Sequence, residues 1–282
     1  MALAMCMAVA CGGPDKAYVR KAVKLMDRQG LFAEGPAWKE AKAIALSASP
    51  QTPDEAKDVV RAALNVAGGK HSFIKTSESV EQDATAEWTM PTVRFEPDGI
   101  AVITLPMFSG NREEGIKYAT TVIEGLPDTL PGAVIDLRDN TGGDMYPMIS
   151  AIHRFLPDDD ILRFRSRKRT VWIQLPFVLQ GTGVSQAAAI DCPVAILTND
   201  MTASSGEATL LTFRGLEKVR TFGAPTAGYA SANTPFRMPD GSQLVLTTGC
   251  DVARTGEVFC DDPIAPDVLT DNPMEDALAW LR

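Results

Sequence analysis

Histidine is nearly absent from this chain: His71 and His153 are the only two among 282 residues. With so few histidines and five scattered cysteines, no His/Cys zinc cluster is legible, and no metal or other cofactor is expected. An excess of positive charge is missing too. With 27 Lys and Arg against 36 Asp and Glu, the formal charge is −9, which argues against nucleic acid or an anionic membrane surface as a main partner. The one basic run, Arg163-Phe164-Arg165-Ser166-Arg167-Lys168-Arg169, reads as a solvated strand face and turn. Nothing after the N-terminal segment approaches the ~18 consecutive apolar residues needed to span a bilayer. There is no internal repeat and no low-complexity tract.

What is present suits an ordinary globular domain. Hydrophobic residues make up 45% of the chain and charged ones 22%, enough for a substantial core with a smaller helical appendage. Residues 14–70 carry helical patterns at Ala17 to Met26 and Ala37 to Leu46. A third helix starts at Thr52-Pro53-Asp54-Glu55, where a cap is followed by proline at the first helical position. Residues 71–92 are polar and poor in pattern. From Val93 onward strands alternate with helices, and a last short helix is predicted over Met274 to Leu281. That pattern alone gives an α/β fold.

Three segments carry candidate chemistry. Thr202-Ala203-Ser204-Ser205-Gly206-Glu207 follows the apolar run Cys192 to Thr198 and opens a helix. A hydroxyl at a strand-to-helix junction sits among unpaired N–H groups that can stabilise an oxyanion, although Ser204 with Glu207 also fits a capping box. Gly132-Ala133-Val134-Ile135-Asp136-Leu137-Arg138-Asp139-Asn140-Thr141-Gly142-Gly143-Asp144 runs from a strand into a glycine pair, which lets a ligand approach bare backbone; a plain turn is the other reading. Gly68-Gly69-Lys70-His71-Ser72-Phe73 holds one of the two histidines. The other, His153, falls within Ile149-Ile152-Phe155 and reads as a packed side chain.

The order His-Ser-Phe, V-I-D-L-R-x-N-x-G-G, T-A-S-S-G-E, Gly223-Ala224-Pro225-Thr226-Ala227-Gly228 and Ile264-Ala265-Pro266-Asp267 resembles the C-terminal-processing and tricorn-type serine peptidases over roughly residues 35 to 270. The resemblance implies a crotonase-like ββα spiral core and cleavage of peptide bonds in a peptide or unfolded protein substrate. Matched residue by residue, it places the nucleophile on Ser204. Tail-processing members keep a lysine base where this chain has Tyr229. The tricorn-like branch uses a histidine, which falls on His71, an imidazole expected to titrate near neutrality and able to take the serine proton. Ser72 is expected to help place His71, the Gly143 and Ser205 amides to form the oxyanion hole, and Gly142 and Tyr229 to contact substrate. The glutamate of the tricorn-type catalytic group falls nearest to Cys260, with Asp261 and Asp262 following. The missing lysine and glutamate leave a second reading: a member whose chemistry has decayed, binding peptides or hydrophobic ligands.

The expected organisation is a signal segment at 1–13, a helical domain at 14–70 and a peptidase core at 71–282, without the PDZ module that many relatives insert, since residues 71–92 are too few for one. Ala8-Val9-Ala10-Cys11-Gly12 resembles a lipoprotein cleavage box, which implies an extracytoplasmic protein tethered to a membrane through lipidated Cys11, although no basic residue precedes the apolar run. Cys250 and Cys260 flank a turn and read either as a hairpin disulfide or as two incidental thiols; Cys192 reads as a core residue. Oligomeric state is not legible.

Overall fold

A computed structural model describes residues 13–282. The cleavage box and Cys11 lie outside the described residues. The chain divides into two compact units, one of residues up to 77 plus 234–247, the other of 78–233 plus 248–282.

The first unit holds the helices α1 Pro14–Gln29, α2 Gly35–Ser47 and α3 Pro53–Gly68 and the strand β1 Phe73–Lys75. Thr52 caps α3 by accepting from Glu55 N at 3.2 Å, with proline at the helix start and Asp54 and Glu55 in the first turn. Val23, Met26, Trp38, Val60 and Leu64 form its core with Met238, Leu244 and Leu246, so a distant piece of sequence completes the N-terminal helices. Strand β1 pairs antiparallel with residues 243–245, Phe73 opposite Val245 and Lys75 opposite Gln243.

The second unit begins within α4 Ser77–Ala84 and continues through β2 Thr92–Phe95, β3 Ala101–Thr104, α5 Arg112–Gly125, β4 Ala133–Asp136, α6 Met145–Ala151, β5 Asp160–Arg165, β6 Thr170–Gln174, α7 Leu175–Thr182, β7 Val194–Thr198, α8 Ser205–Leu211 and β8 Val219–Gly223. It ends with β9 Ser231–Arg237, β10 Gln243–Val252, β11 Val258–Phe259, β12 Val268–Leu269 and α9 Pro273–Leu281, the first parts of β10 and the last of β9 belonging to the other unit. Its main sheet has six strands in the order β12-β8-β7-β4-β3-β2, parallel throughout except for β2 at the edge.

The register stacks Ile103, Ile135 and Ile196 across neighbouring strands, on the face that packs against Tyr118, Val122, Met148 and Ile149 of α5 and α6. Val102, Val134 and Ala195 point to the opposite face, closed by Ala277 and its neighbours on α9. A parallel sheet covered on both sides needs continuous apolar strands, and β4 and β7 supply them. The α/β core with a small helical unit is therefore present as expected. Among the described residues, no helix is long and apolar enough to cross a membrane.

Candidate active site

Two neighbouring parallel strands, β4 and β7, deliver their following turns to one end of the sheet, the end at which α/β folds bind ligands. The turn after β4 is held from within. Arg138 clasps Asp136 with Nε to Oδ1 at 2.8 Å and Nη2 to Oδ2 at 2.6 Å, so this part of the motif braces the turn. Asn140, completely buried, donates from Nδ2 to Leu105 O at 2.9 Å and accepts from Gly142 N at 3.0 Å.

The two turns are also tied to each other. Asn199 accepts from Asp139 N and donates to Asp139 Oδ1 at 2.8 Å, Thr202 Oγ1 donates to Leu137 O at 2.8 Å, and Ala203 N donates to Asn140 O at 2.9 Å.

Gly142 and Gly143 have φ of +108° and +106°, conformations that side chains disfavour. Space demands glycine as well. A Cβ on Gly142 would stand 2.8 Å from Ser204 Cβ, and one on Gly143 would overlap the Phe108 carbonyl. The backbone bridge between Phe108 and Gly143 uses the Gly142 carbonyl and the Asp144 amide, which leaves the Gly143 N–H outside the ladder. Ser205 is the first residue of α8, where N–H groups have no acceptor within the helix.

Ser204 has φ +52° and ψ −116°. A non-glycine residue in such a conformation is held against roughly 1–3 kcal/mol of strain, and strain of this kind gathers at functional sites. Glu207 is what holds it. Its carboxylate, fully buried, accepts from Ser204 N at 2.9 Å, Gly228 N at 2.9 Å, Tyr229 N at 2.7 Å and Thr226 Oγ1 at 2.5 Å. Burial pushes its pKa up from the usual carboxylate value, against the opposing pull of those four donors. The capping glutamate thus fastens the start of α8 to the loop over 226–229.

Ser204, Ser205 and Gly143 line one cavity of about 240 Å³, together with Asp144, Tyr146, Phe164, Asn233 and Asp251 among others. Ser205 Oγ donates to Gly143 O at 2.6 Å. Tyr229 joins the site through its backbone bond to Glu207. The Asp144 carboxyl accepts from Tyr146 N at 3.0 Å, and burial raises it above the usual carboxylate range. Asp251 is raised further, first by burial and then by the charge of Glu207. Asp251 is the next-to-last residue of β10.

His71 and Ser72 belong to the other unit, immediately after α3. The Ser72 hydroxyl reaches Gly68 O at 3.0 Å and Thr247 Oγ1 at 3.0 Å and accepts from Thr247 N at 2.8 Å, which fixes the turn that carries His71. His71 is buried, and desolvation, aided by the Lys70 charge, lowers it to about 4. The near-neutral value expected from sequence is corrected by that burial, because an imidazolium loses its hydration there. His153 is a packed side chain: Nδ1 meets Ser150 O at 2.7 Å and Nε2 accepts from Ala187 N at 2.9 Å. Cys260 is bridged to Cys250, Cα to Cα 4.6 Å, so it supplies no acid in place of the family's glutamate. Cys192 is buried and free. Among the described residues, no group of three or more His, Cys, Asp or Glu is placed to hold a metal ion.

The nisin-resistance protein of Lactococcus lactis subsp. lactis is 33% identical over 279 residues, covering 95% of this chain and 87% of that protein. Among solved structures, a lipoprotein from Streptococcus agalactiae superposes with a TM-score of 0.86 at 30% identity, covering 95% of this chain and 96% of that one. The photosystem II D1 C-terminal processing protease matches at 0.63 and 14% identity over 93% of this chain and 94% of its own, which is agreement of fold. The two turns and the cavity between them fall inside the span 99–270, which matches the sequence profile of Peptidase family S41, and the chain belongs to that family.

Proposed function

We propose that this protein is a serine peptidase working through an acyl-enzyme, with a histidine rather than a lysine as base. The observation that carries the proposal is the conformation of Ser204: a serine held at φ +52° at the start of α8, in one cavity with Gly143 and Ser205. In this reading Ser204 Oγ attacks the peptide carbonyl while His71 takes its proton. The Gly143 and Ser205 amides receive the oxyanion, each such donor being worth on the order of 3 kcal/mol in comparable enzymes. His71 then returns the proton to the leaving amine as the C–N bond breaks, and water releases the acyl group by the same steps. Ser72 acts as a positioning residue for His71.

The pH dependence follows from burial. His71 is lowered to about 4, so the base is already neutral above that pH, and the acid limb of kcat/KM is expected near 4, where an exposed imidazole would put it at about 6.5. Labelling with a fluorophosphonate probe tests the nucleophile. Ser204→Ala should abolish labelling and turnover, and His71→Ala should remove nearly all turnover while circular dichroism shows the fold intact. Unchanged hydrolysis in His71→Ala sinks the base assignment.

The name of the Lactococcus relative ties that protein to nisin resistance, so nisin belongs among the first substrates to offer this one. Its likeness to a streptococcal lipoprotein, together with Ala8-Val9-Ala10-Cys11, supports an extracytoplasmic protein tethered through Cys11. A second reading, a decayed member that only binds peptides or hydrophobic ligands, is favoured by Tyr229 and by the commitment of Cys260 to a bridge. A wild-type protein that never labels yet binds peptide would establish it.

A further inference from the structure

Asp251 is 1% exposed, and its Oδ1 has no hydrogen-bond partner. Such a group is rare, because a buried carboxyl oxygen loses its hydration and gains nothing in return. Its place in the sheet explains how it got there. β10 runs antiparallel to β5 and β11, with Asp251 opposite Phe164 on one side and Phe259 on the other. Residues directly opposite in a ladder share a face, so the carboxyl lies on the Phe164 face, and both residues line the cavity that also holds Ser204. The neighbouring strand residues Arg163 and Arg165 therefore point to the other face.

The charge of this cavity is of one sign. Its lining includes Asp144 and Asp251 but no Lys, Arg or His. Glu207 adds a further unfavourable charge toward Asp251. An anionic, partly apolar recess with an orphan acceptor lacks a cation that can also donate a hydrogen bond. Within a peptide, a lysine or arginine side chain offers both and adds the long aliphatic stem, lacking in a terminal ammonium or an imidazolium, that can lie along Phe164.

We propose that Asp251 is a specificity-determining residue that binds the cationic side chain of a lysine or arginine in the peptide substrate. The proposal rests on the peptidase reading for the word substrate, while the binding itself needs no chemistry.

The test therefore uses Ser204→Ala protein, which cannot turn over, and short fluorescein-labelled alanine peptides carrying one lysine, norleucine or acetyl-lysine at each position in turn. At one position lysine should bind about tenfold tighter than norleucine, with acetyl-lysine resembling norleucine, as expected for one charge-assisted pair. Asp251→Asn on the same background should bring the three peptides within about twofold of one another. If lysine shows no preference at any position, or keeps it after Asp251→Asn, the assignment is wrong. Should the asparagine variant fail to fold, Asp144→Asn takes its place: a lysine preference that survives it belongs to Asp251, and one lost with it overturns the assignment. Fluorophosphonate labelling of wild-type protein separates the two ideas: a protein that prefers lysine but never labels keeps the cation site and loses the peptidase.

Discussion

Glu207 and Asp251 are both buried acids near the same serine, and the fold treats them in opposite ways. Glu207 has four donors converging on it, from α8 and from the loop over 226–229. Asp251 has an oxygen with none. A fully satisfied buried carboxylate is scaffolding: it fixes geometry, and its removal leaves donors stranded. An unsatisfied one stores instability that an incoming partner can relieve. The contrast separates the acid that builds this site from the acid available to a ligand.

The sharpest way to break the comparison is Glu207→Ala. It strands three N–H groups and a hydroxyl that are buried or partly buried, and the expected loss of stability is about 3 kcal/mol or more, read as a lower urea midpoint. Fluorophosphonate labelling should fall with it, since the backbone of Ser204 is no longer held. A variant as stable as the parent would show that the clamp is dispensable.

Next comes the Cys250–Cys260 bridge, which encloses Asp251 and the turn beyond β10 and spans a sequence separation of 10. Loop-closure reasoning puts its removal in Cys250→Ser/Cys260→Ser at no more than about 3 kcal/mol. The urea midpoint should fall while Glu207, on another element, keeps Ser204 in place. Labelling lost in the double variant at a temperature where the fold persists would mean that the two acids are not independent.

Asp251→Asn should act with the opposite sign. A carboxyl raised in the folded state binds more protons there than in the unfolded chain, so its contribution to stability falls as pH rises above about 4. The amide removes that penalty. The variant is expected to gain about 1 kcal/mol over wild type at pH 7 and to lose that advantage near pH 4, measured by urea unfolding at both values. Destabilisation at pH 7 would show that the carboxylate is satisfied after all.

The smallest effect is expected at Tyr229, joined to Glu207 through its backbone, which a side-chain change leaves intact. Tyr229→Phe should keep kcat within about threefold and act mainly on KM; a loss as severe as that of Ser204→Ala would move the base from His71 to Tyr229.

The sequence carried much of the scaffold. β4 and β7 lie where apolar runs predict them, α3 starts at its Thr52 cap, and both strand-to-helix turns are legible from glycine and capping residues within a dozen positions. Other features escaped it. α8 ends already at Leu211, because Thr212, Phe213 and Arg214 turn to tighter bonds with the residues three back. α4 lies in a stretch read as patternless, and α7 follows β6 without a break. Glu207 was legible as a cap for its own helix, but its bonds to Thr226, Gly228 and Tyr229 reach about twenty residues away.

By itself, then, the sequence determined what depends on neighbours along the chain: the apolar strands, the glycine turns, the serine at a helix start and the family to which these belong. Tertiary structure decided what depends on partners far apart: which oxygens of two buried acids are satisfied, which cysteines meet, and how far a histidine is stripped of water. Hydrogen bonding and desolvation act through space, and for the two acids the packing of β5, β10 and α8 around one cavity sets them.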